Sequence, residues 1–278
     1  MRNLIQLEFR KLFSRGVTYV GFIAIMLIVL IIQVGMFVEG QKLLDFLVKS
    51  MADVFMFEGN LINSYSVSYI IMNSLWIHIP ILVAIVAGDM VSGEAGRGTF
   101  RLLLTRPVSR TKLLTAKFIT AQVYTSMLVV FLMILSLGLG RLFWKPGDMM
   151  VIMNTINILD MNDIWWRFFV AFGYGVISMW VVAALAFLFS SMSANSLLPI
   201  VSSMSVLILF TILSNFSLGI FEVIKPFLFT SYLSGWQLFF NDPVDWNQIL
   251  RATLVLLGHI TAFYLLALQI FTRKDITT

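Results

Sequence analysis

The chain has 278 residues, of which 59% are hydrophobic and only 12% are charged. Soluble domains carry about 25% charged residues, so this composition excludes an ordinary water-soluble domain and indicates a chain embedded in lipid. The formal net charge is +5 and cysteine is absent, which excludes a disulfide framework and a thiolate metal site.

Six apolar stretches are long enough to cross a bilayer, because a hydrocarbon core about 30 Å thick needs about 20 helical residues. Backbone groups in lipid must be satisfied internally, which favours helices, and the short alternating segments of a β-barrel are not seen. We predict an all-α integral membrane protein with a single domain over 1–278, since the hydrophilic connections are too short to form a core. The predicted spans lie near 17–38, 67–88, 118–140, 168–190, 197–217 and 250–271.

The basic residues predict the orientation, because cytoplasmic connections are enriched in Lys and Arg. Twelve of the nineteen basic residues lie in the N-terminus, the 88–117 connection and the C-terminus, whereas ten of the fourteen acidic residues lie elsewhere. Both termini and the 88–117 connection are therefore predicted to be cytoplasmic. This topology explains the positive charge without a nucleic-acid partner.

Residues 1–16 form a basic, amphipathic segment before the first span. Ile5, Phe9 and Leu12 share one side of a helix, whereas Arg10 lies on another. This pattern is typical of an interfacial elbow helix on the inner leaflet, and a plain cytosolic extension of the first span is the alternative.

Residues 88–117 form a charged connection between the second and third predicted spans, with six basic residues and two acidic ones. Its glycines are predicted to end the second span and turn the chain along the membrane face. Thr99 is placed to cap a short flat helix over 99–105, which Pro107 would stop. The alternative is a solvated loop that only sets topology, but it gives no reason for Glu94 or for three consecutive leucines.

The glycines between Gly93 and Thr99 have some likeness to a phosphate-binding loop. The lysine that should follow the last glycine is absent, and the segment follows a membrane span instead of a buried strand. We therefore expect no cofactor on this chain and no enzymatic activity of its own. Any energy from ATP would come from another polypeptide.

No charged residue occurs between Arg167 and Glu222, a run of 54 residues. As one helix it would be about 80 Å long, too long for a single crossing. Cap-forming residues therefore predict a tight turn at 190–196, which makes spans four and five a hairpin. Small residues at helical spacing around Gly175 predict a close-packed face on span four. The later connection, strongly apolar from 227 to 240, is predicted to re-enter the membrane before span six.

The stretch Ser92-Gly-Glu-(x)3-Gly-Thr-(x)2-Leu-Leu-(x)2-Arg-Pro-Val-Ser-Arg110 resembles the signature of bacterial ABC-2 type permeases. These are membrane subunits of ATP-binding-cassette exporters in the bacterial cytoplasmic membrane, and the resemblance covers about 25 residues. It implies a coupling helix at 99–105 docked on two cytoplasmic ATPase subunits, which would hold the ATP and Mg²⁺. It also implies a second permease, either an identical copy or a related chain.

By the same resemblance, residues of this connection would couple the chain to the ATPase. Glu94 and Arg97 would make charged contacts at the rim of the docking groove. The full set of coupling residues is Glu94, Arg97, Gly98, Thr99, Phe100, Arg101, Leu103, Leu104, Arg106 and Pro107.

His78 and His259 lie near the middle of the second and sixth predicted spans. Ionisable residues at such depth are costly and often functional, so the pair could form an intramembrane polar site that shuttles protons or holds a metal ion. The alternative is that each histidine simply forms hydrogen bonds within the bundle, with no metal.

The span centres contain no Asp, Glu, Lys or Arg. Transporters driven by ion gradients usually show charges or broken helices near the midplane, so this absence favours a permease subunit powered from outside. A secondary transporter or channel, and a membrane anchor for a cytoplasmic complex, are the alternatives. A pathway without buried charge favours an amphiphilic or apolar substrate, such as a lipid-like molecule or a hydrophobic peptide.

Overall fold

The computed structural model describes residues 1–49, 62–98, 109–153, 156–216 and 219–273. Within these ranges the chain is mostly helical, with one small antiparallel hairpin. The helices are α1 (Arg2–Phe13), α2 (Val17–Lys49), α3 (Ser64–Leu75), α4 (Ile79–Gly96), α5 (Arg110–Phe143), α6 (Ile164–Met192), α7 (Leu197–Asn215), α8 (Gly219–Ile224), α9 (Thr230–Leu233) and α10 (Trp246–Arg273). Strands β1 (Met149–Ile152) and β2 (Ile156–Leu159) form the hairpin, and 3₁₀ turns occupy Lys225–Phe227 and Ser234–Phe240.

Six of the described helices are long and apolar enough to cross a membrane: α2 (over Val17–Gly40), α4, α5, α6, α7 and α10. The prediction of a mostly helical protein with six such helices is confirmed. Helices α4 and α6 form the centre: in the most apolar 18 residues of each, 67% are buried, against only 17% in α7 and α10. Helix α6 packs against α4, α5, α7 and α10, so it is the core around which the others are arranged.

The second predicted span is not one continuous helix. The chain from 67 to 88 is divided between α3 and α4 by a turn at 76–78. Pro80 lies in the first turn of α4, and because it has no N–H it cannot bond to the carbonyl of Trp76. The break therefore follows from a proline whose effect the apolar pattern concealed.

Helix α4 also extends further than the sequence predicted. It runs through Gly88 and Gly93, so those two glycines do not stop the second span, and it ends at Gly96, just before Gly98. Gly96 serves close packing instead, because a Cβ there would lie 2.6 Å from the Ala194 carbonyl oxygen. Only Gly98, with φ +67°, has the left-handed conformation that glycine favours among the residues that the structure describes.

Two connections fold onto the bundle at the end opposite α1. The hairpin pairs Met149 with Leu159 and is the described exception to the all-α prediction. The apolar segment predicted to re-enter the membrane packs against α6 and α7, with Phe229, Trp236 and Phe240 fully buried. This packing is what the structure shows, and re-entry of the segment into a bilayer stays a prediction.

The predicted small-residue face of α6 is used for close packing. A Cβ on Gly175 would lie 2.8 Å from the Trp76 ring, whereas nothing lies within 4 Å of a Cβ on Gly173. We expect Gly175→Ala to destabilise the chain by about 1–3 kcal/mol through overpacking. Gly173→Ala, the matched control, should be neutral or slightly stabilising, since Ala favours a helix. Thermal unfolding of the purified variants checks this, and equal unfolding temperatures would contradict it.

Candidate functional site

Four charged side chains meet where α4 ends and the 99–108 segment begins. Lys117 on α5 places its Nζ 2.7 Å from Glu8 Oε2 and 2.8 Å from Glu94 Oε2. Lys11 on α1 places its Nζ 2.9 Å from Glu8 Oε1 and 3.0 Å from Glu94 Oε1. Each lysine thus bridges both carboxylates, and this buried four-charge cluster binds α1, α4 and α5 together.

The cluster is buried but electrically balanced. The side chains of Lys117, Glu8 and Glu94 are 1%, 3% and 4% exposed, and Lys11 covers them at 31% exposure. Removing such groups from water costs several kcal/mol per ion, so they require one another as partners. Partial burial lowers the pKa of Lys11, but hydrogen bonds and charges from Glu8 and Glu94 outweigh it and raise that pKa above its usual value.

Helix α1 takes part in the cluster because its inner face is mixed in character. Leu12 is buried as the amphipathic pattern predicts, and Glu8, one turn earlier, is buried beside it. The helix packs mainly along α5, with fewer contacts to α2. Within the predicted segment 1–16 the structure has a helix over Arg2–Phe13, and its role as an interfacial elbow helix stays a prediction.

A second, more exposed layer of charge lies beside the cluster. Arg15 Nη1 is 2.7 Å from Asp89 Oδ2, and Arg97 Nη2 is 3.8 Å from the same oxygen. These side chains are between 24% and 53% exposed, so solvent screening leaves the two pairs with little effect on stability.

The same end of α4 is fixed to α6. Ser190 Oγ accepts hydrogen bonds from the backbone N–H groups of Val91 and Ser92, at 3.1 and 2.9 Å. The close approach of Gly96 to Ala194 adds the turn between α6 and α7 to this contact. The end of α4 is thus held on one side by charges and on the other by backbone contacts.

The structure changes the expected role of Glu94. Its carboxylate points into the bundle and pairs with Lys117 and Lys11, so it does not lie at a rim open to a partner. Arg97 is exposed, and Gly98 turns the chain after α4. The remaining predicted coupling residues lie outside the described residues: Thr99, Phe100, Arg101, Leu103, Leu104, Arg106 and Pro107.

The two histidines lie in different surroundings. His78 is exposed at the break between α3 and α4, with Nδ1 3.0 Å from the Ser74 carbonyl oxygen. His259 packs beside the rings of Phe229 and Phe263, with Nδ1 2.8 Å from the Val255 carbonyl oxygen. The His78 ring is therefore engaged with the last turn of α3 and the His259 ring with its own helix. No group of three or more potential ligands within the described ranges could hold a metal.

Sequence reasoning missed Glu8, Lys11 and Lys117 as members of the cluster. The sequence does mark Glu8 as unusual, because it is the one acid among four basic residues before the first span. Lys117 counts toward the topology signal in the sequence, although it lies on α5 and is followed by an apolar run. Their meeting depends on contacts across 109 residues, which the local pattern does not contain.

These features define the class: a helical multi-pass membrane protein with a tightly ion-paired end. The chain belongs to the family described as "Protein of unknown function (DUF2705)", whose model matches residues 26–277. It is similar to "Uncharacterized protein YhcI" of Bacillus subtilis (strain 168), with 28% identity over 202 residues. That match covers 69% of this chain and 63% of the relative, so the chain spans less than two thirds of that protein's length.

This membership corrects the family prediction made from residues 92–110. The family model that matches is that of DUF2705, not that of the ABC-2 type permeases. The resemblance depended on one short connection, and two of its residues serve the packing of the bundle instead. Gly93 lies within α4, and Glu94 belongs to the buried four-charge cluster.

Proposed function

We propose that this chain is the membrane subunit of a transporter driven by ATP hydrolysis on two separate cytoplasmic subunits. These subunits would dock on the connection between α4 and α5, within residues 97–112. The observation that carries the proposal is the buried four-charge cluster, because it joins both ends of that connection and α1 into one unit. The proposal places the chain in a bacterial cytoplasmic membrane with both termini in the cytoplasm, beside a second membrane subunit.

A membrane subunit that is driven by a partner needs a rigid connection between the docking segment and its membrane helices. Conformational switching moves packed elements as rigid bodies, so a push on the connection must move α4 instead of bending its end. The cluster and the Ser190 contact supply that stiffness. From there α4 leads to the break at 76–78, where Trp76 Nε1 donates a hydrogen bond to the Leu233 carbonyl.

The charges around the connection suit an acidic partner surface. Arg97 and Lys112 are exposed beside it, the acids Glu8 and Glu94 are buried in the cluster, and the nearby Asp89 is paired with Arg15 and Arg97. A positive surface attracts and orients a partner of opposite charge. The buried charges lie near the ends of α4 and α5, so they do not form the midplane ion site that a gradient-driven transporter would use.

The proposal is tested by the double substitution Leu103→Ser and Leu104→Ser. We expect an ATP-hydrolysing protein to co-purify with the wild-type chain, and its bound amount and ATPase activity to fall about tenfold in the double variant, as for the loss of interface hot spots. Leu142→Ser, at the opposite end of α5 and 80% exposed, is the matched control and should change neither quantity.

Three results would overturn the proposal, provided that thermal unfolding shows all variants to be folded. The wild-type chain could bind no ATP-hydrolysing protein, or the double variant could retain it in full. Reconstituted chain could also transport solute with an ion gradient alone. An ATPase that binds at 97–112 without any transport would instead support the membrane-anchor alternative.

A further inference from the structure

A cavity of about 780 Å³ lies at the end of the bundle opposite the buried four-charge cluster. Its walls come from α3, the end of β1, the 231–243 segment and the first turns of α10. The last turn of α10 lies beside α5, where Arg110 Nη1 donates to the Thr272 carbonyl. About 20 helical residues, or roughly 30 Å, therefore separate the cavity from the cluster end.

The cavity wall contains no Asp, Glu, Lys or Arg among the described residues but has four carboxamides: Asn73, Gln237, Asn241 and Gln248. Gln237 Nε2 donates to Asn73 Oδ1 at 3.0 Å, which leaves the Asn73 amino group and the Gln237 oxygen available. The side chains of Asn241 and Gln248 form no hydrogen bond with another described residue. The wall thus presents donors and acceptors together, without charge.

The rest of the wall is mixed: Ile152, Met153 and Leu238 supply apolar surface, and Ser231 and Ser234 supply hydroxyls. Aliphatic side chains next to carboxamides suit a ligand that alternates apolar groups with amides. The described wall residues offer no counter-charge to an ionised ligand, which favours an uncharged one. The volume lies within the range of about 300–1,000 Å³ that is typical of small-ligand sites.

We propose that this cavity binds a short, uncharged peptide with apolar side chains. The carboxamide of Asn or Gln has the same planar donor and acceptor as a peptide bond, so it can form hydrogen bonds with a peptide main chain. The apolar wall would receive the peptide side chains. This site goes beyond the proposed function, because it binds its ligand whether or not a cytoplasmic ATPase drives the chain.

The cavity wall is held in place before any ligand arrives. Arg167 Nη1 donates to the carbonyls of Phe239 and Asn241, at 2.9 and 2.7 Å. Tyr174 donates its hydroxyl to the Tyr232 carbonyl at 2.6 Å. A wall fixed in this way loses little conformational freedom on binding, which favours affinity.

The test uses the full-length chain in lipid nanodiscs and the probe N-acetyl-Leu-Ala-Leu-amide, with one leucine replaced by a photoreactive analogue. We expect saturable labelling that maps to the cavity wall around residues 152 and 238. The double substitution Asn241→Leu and Gln248→Leu should weaken binding about tenfold, because two hydrogen bonds are lost. Gln269→Leu, an exposed position near the other end of α10, is the matched control and should bind as the wild type does.

Competition decides the ligand class. Unlabelled neutral peptide should abolish labelling, whereas the same peptide with two glutamates, or a neutral disaccharide, should not. Labelling that does not saturate, that maps to the membrane-facing helices, or that survives the double substitution would overturn the proposal. Asn73→Leu, on a different element, replaces the double variant if thermal unfolding shows that variant to be misfolded.

Discussion

Replacing Lys117 by Met is expected to destabilise the folded chain by about 3–5 kcal/mol, the usual cost of removing one partner from a buried ion pair. Lys117 is 1% exposed and contacts both carboxylates of the buried four-charge cluster. Without it, Glu8 and Glu94 would face each other with only Lys11 to neutralise them. Chemical unfolding of the purified chain, followed by tryptophan fluorescence, measures the change.

The matched control for Lys117→Met is Lys112→Met, at an exposed position on the same helix. It should change the unfolding free energy by less than about 1 kcal/mol, as exposed charges usually do. The double variant Lys117→Met with Glu94→Gln removes one charge of each sign, so it should be more stable than the sum of the single effects predicts. If Lys117→Met unfolds as Lys112→Met does, the cluster is not a stabilising joint.

The membrane helices were predictable because lipid imposes a simple composition on them. Long apolar runs mark all six long helices, and the connection between α6 and α7 falls at 193–196, within the predicted turn at 190–196. Likewise, the small-residue pattern placed Gly175 on a close-packed face, and Gly175 approaches the Trp76 ring in the structure. These features depend on residues that are near one another in sequence.

The features that were missed depend on contacts between distant segments. At the end of α4, Gly96 fits against the Ala194 carbonyl in the turn after α6, a contact between segments that are far apart in sequence. The role of Glu94 is decided by a lysine on α5 and a lysine on α1. Sequence patterns showed that Glu94 was unusual in its connection, but they could not show which way it points.

Arg167 is a second buried charge, at the end of the bundle opposite the four-charge cluster, and its side chain is 5% exposed. Besides its bonds to Phe239 and Asn241, its Nη2 lies 2.6 Å from Asp163 Oδ2. Arg167→Met keeps an apolar chain but leaves two backbone carbonyls without their donor. We expect a loss of about 3 kcal/mol, because hydrogen bonds from a charged donor are worth about 1.5–3 kcal/mol each.

The region in which hydrogen exchange rises distinguishes a local effect of Arg167→Met from general unfolding. Hydrogen exchange should rise at residues 234–243, which Arg167 holds, and stay low along α4 and α5. The neutral peptide probe should bind Arg167→Met at least about tenfold more weakly. Without Arg167 the cavity wall is less ordered, and ordering it on binding reduces the affinity. Arg251→Met, an exposed arginine on α10, is the matched control and should leave both exchange and binding unchanged. Unchanged exchange at 234–243 in Arg167→Met would show that the aromatic packing of Trp236 and Phe240 is enough to hold the wall.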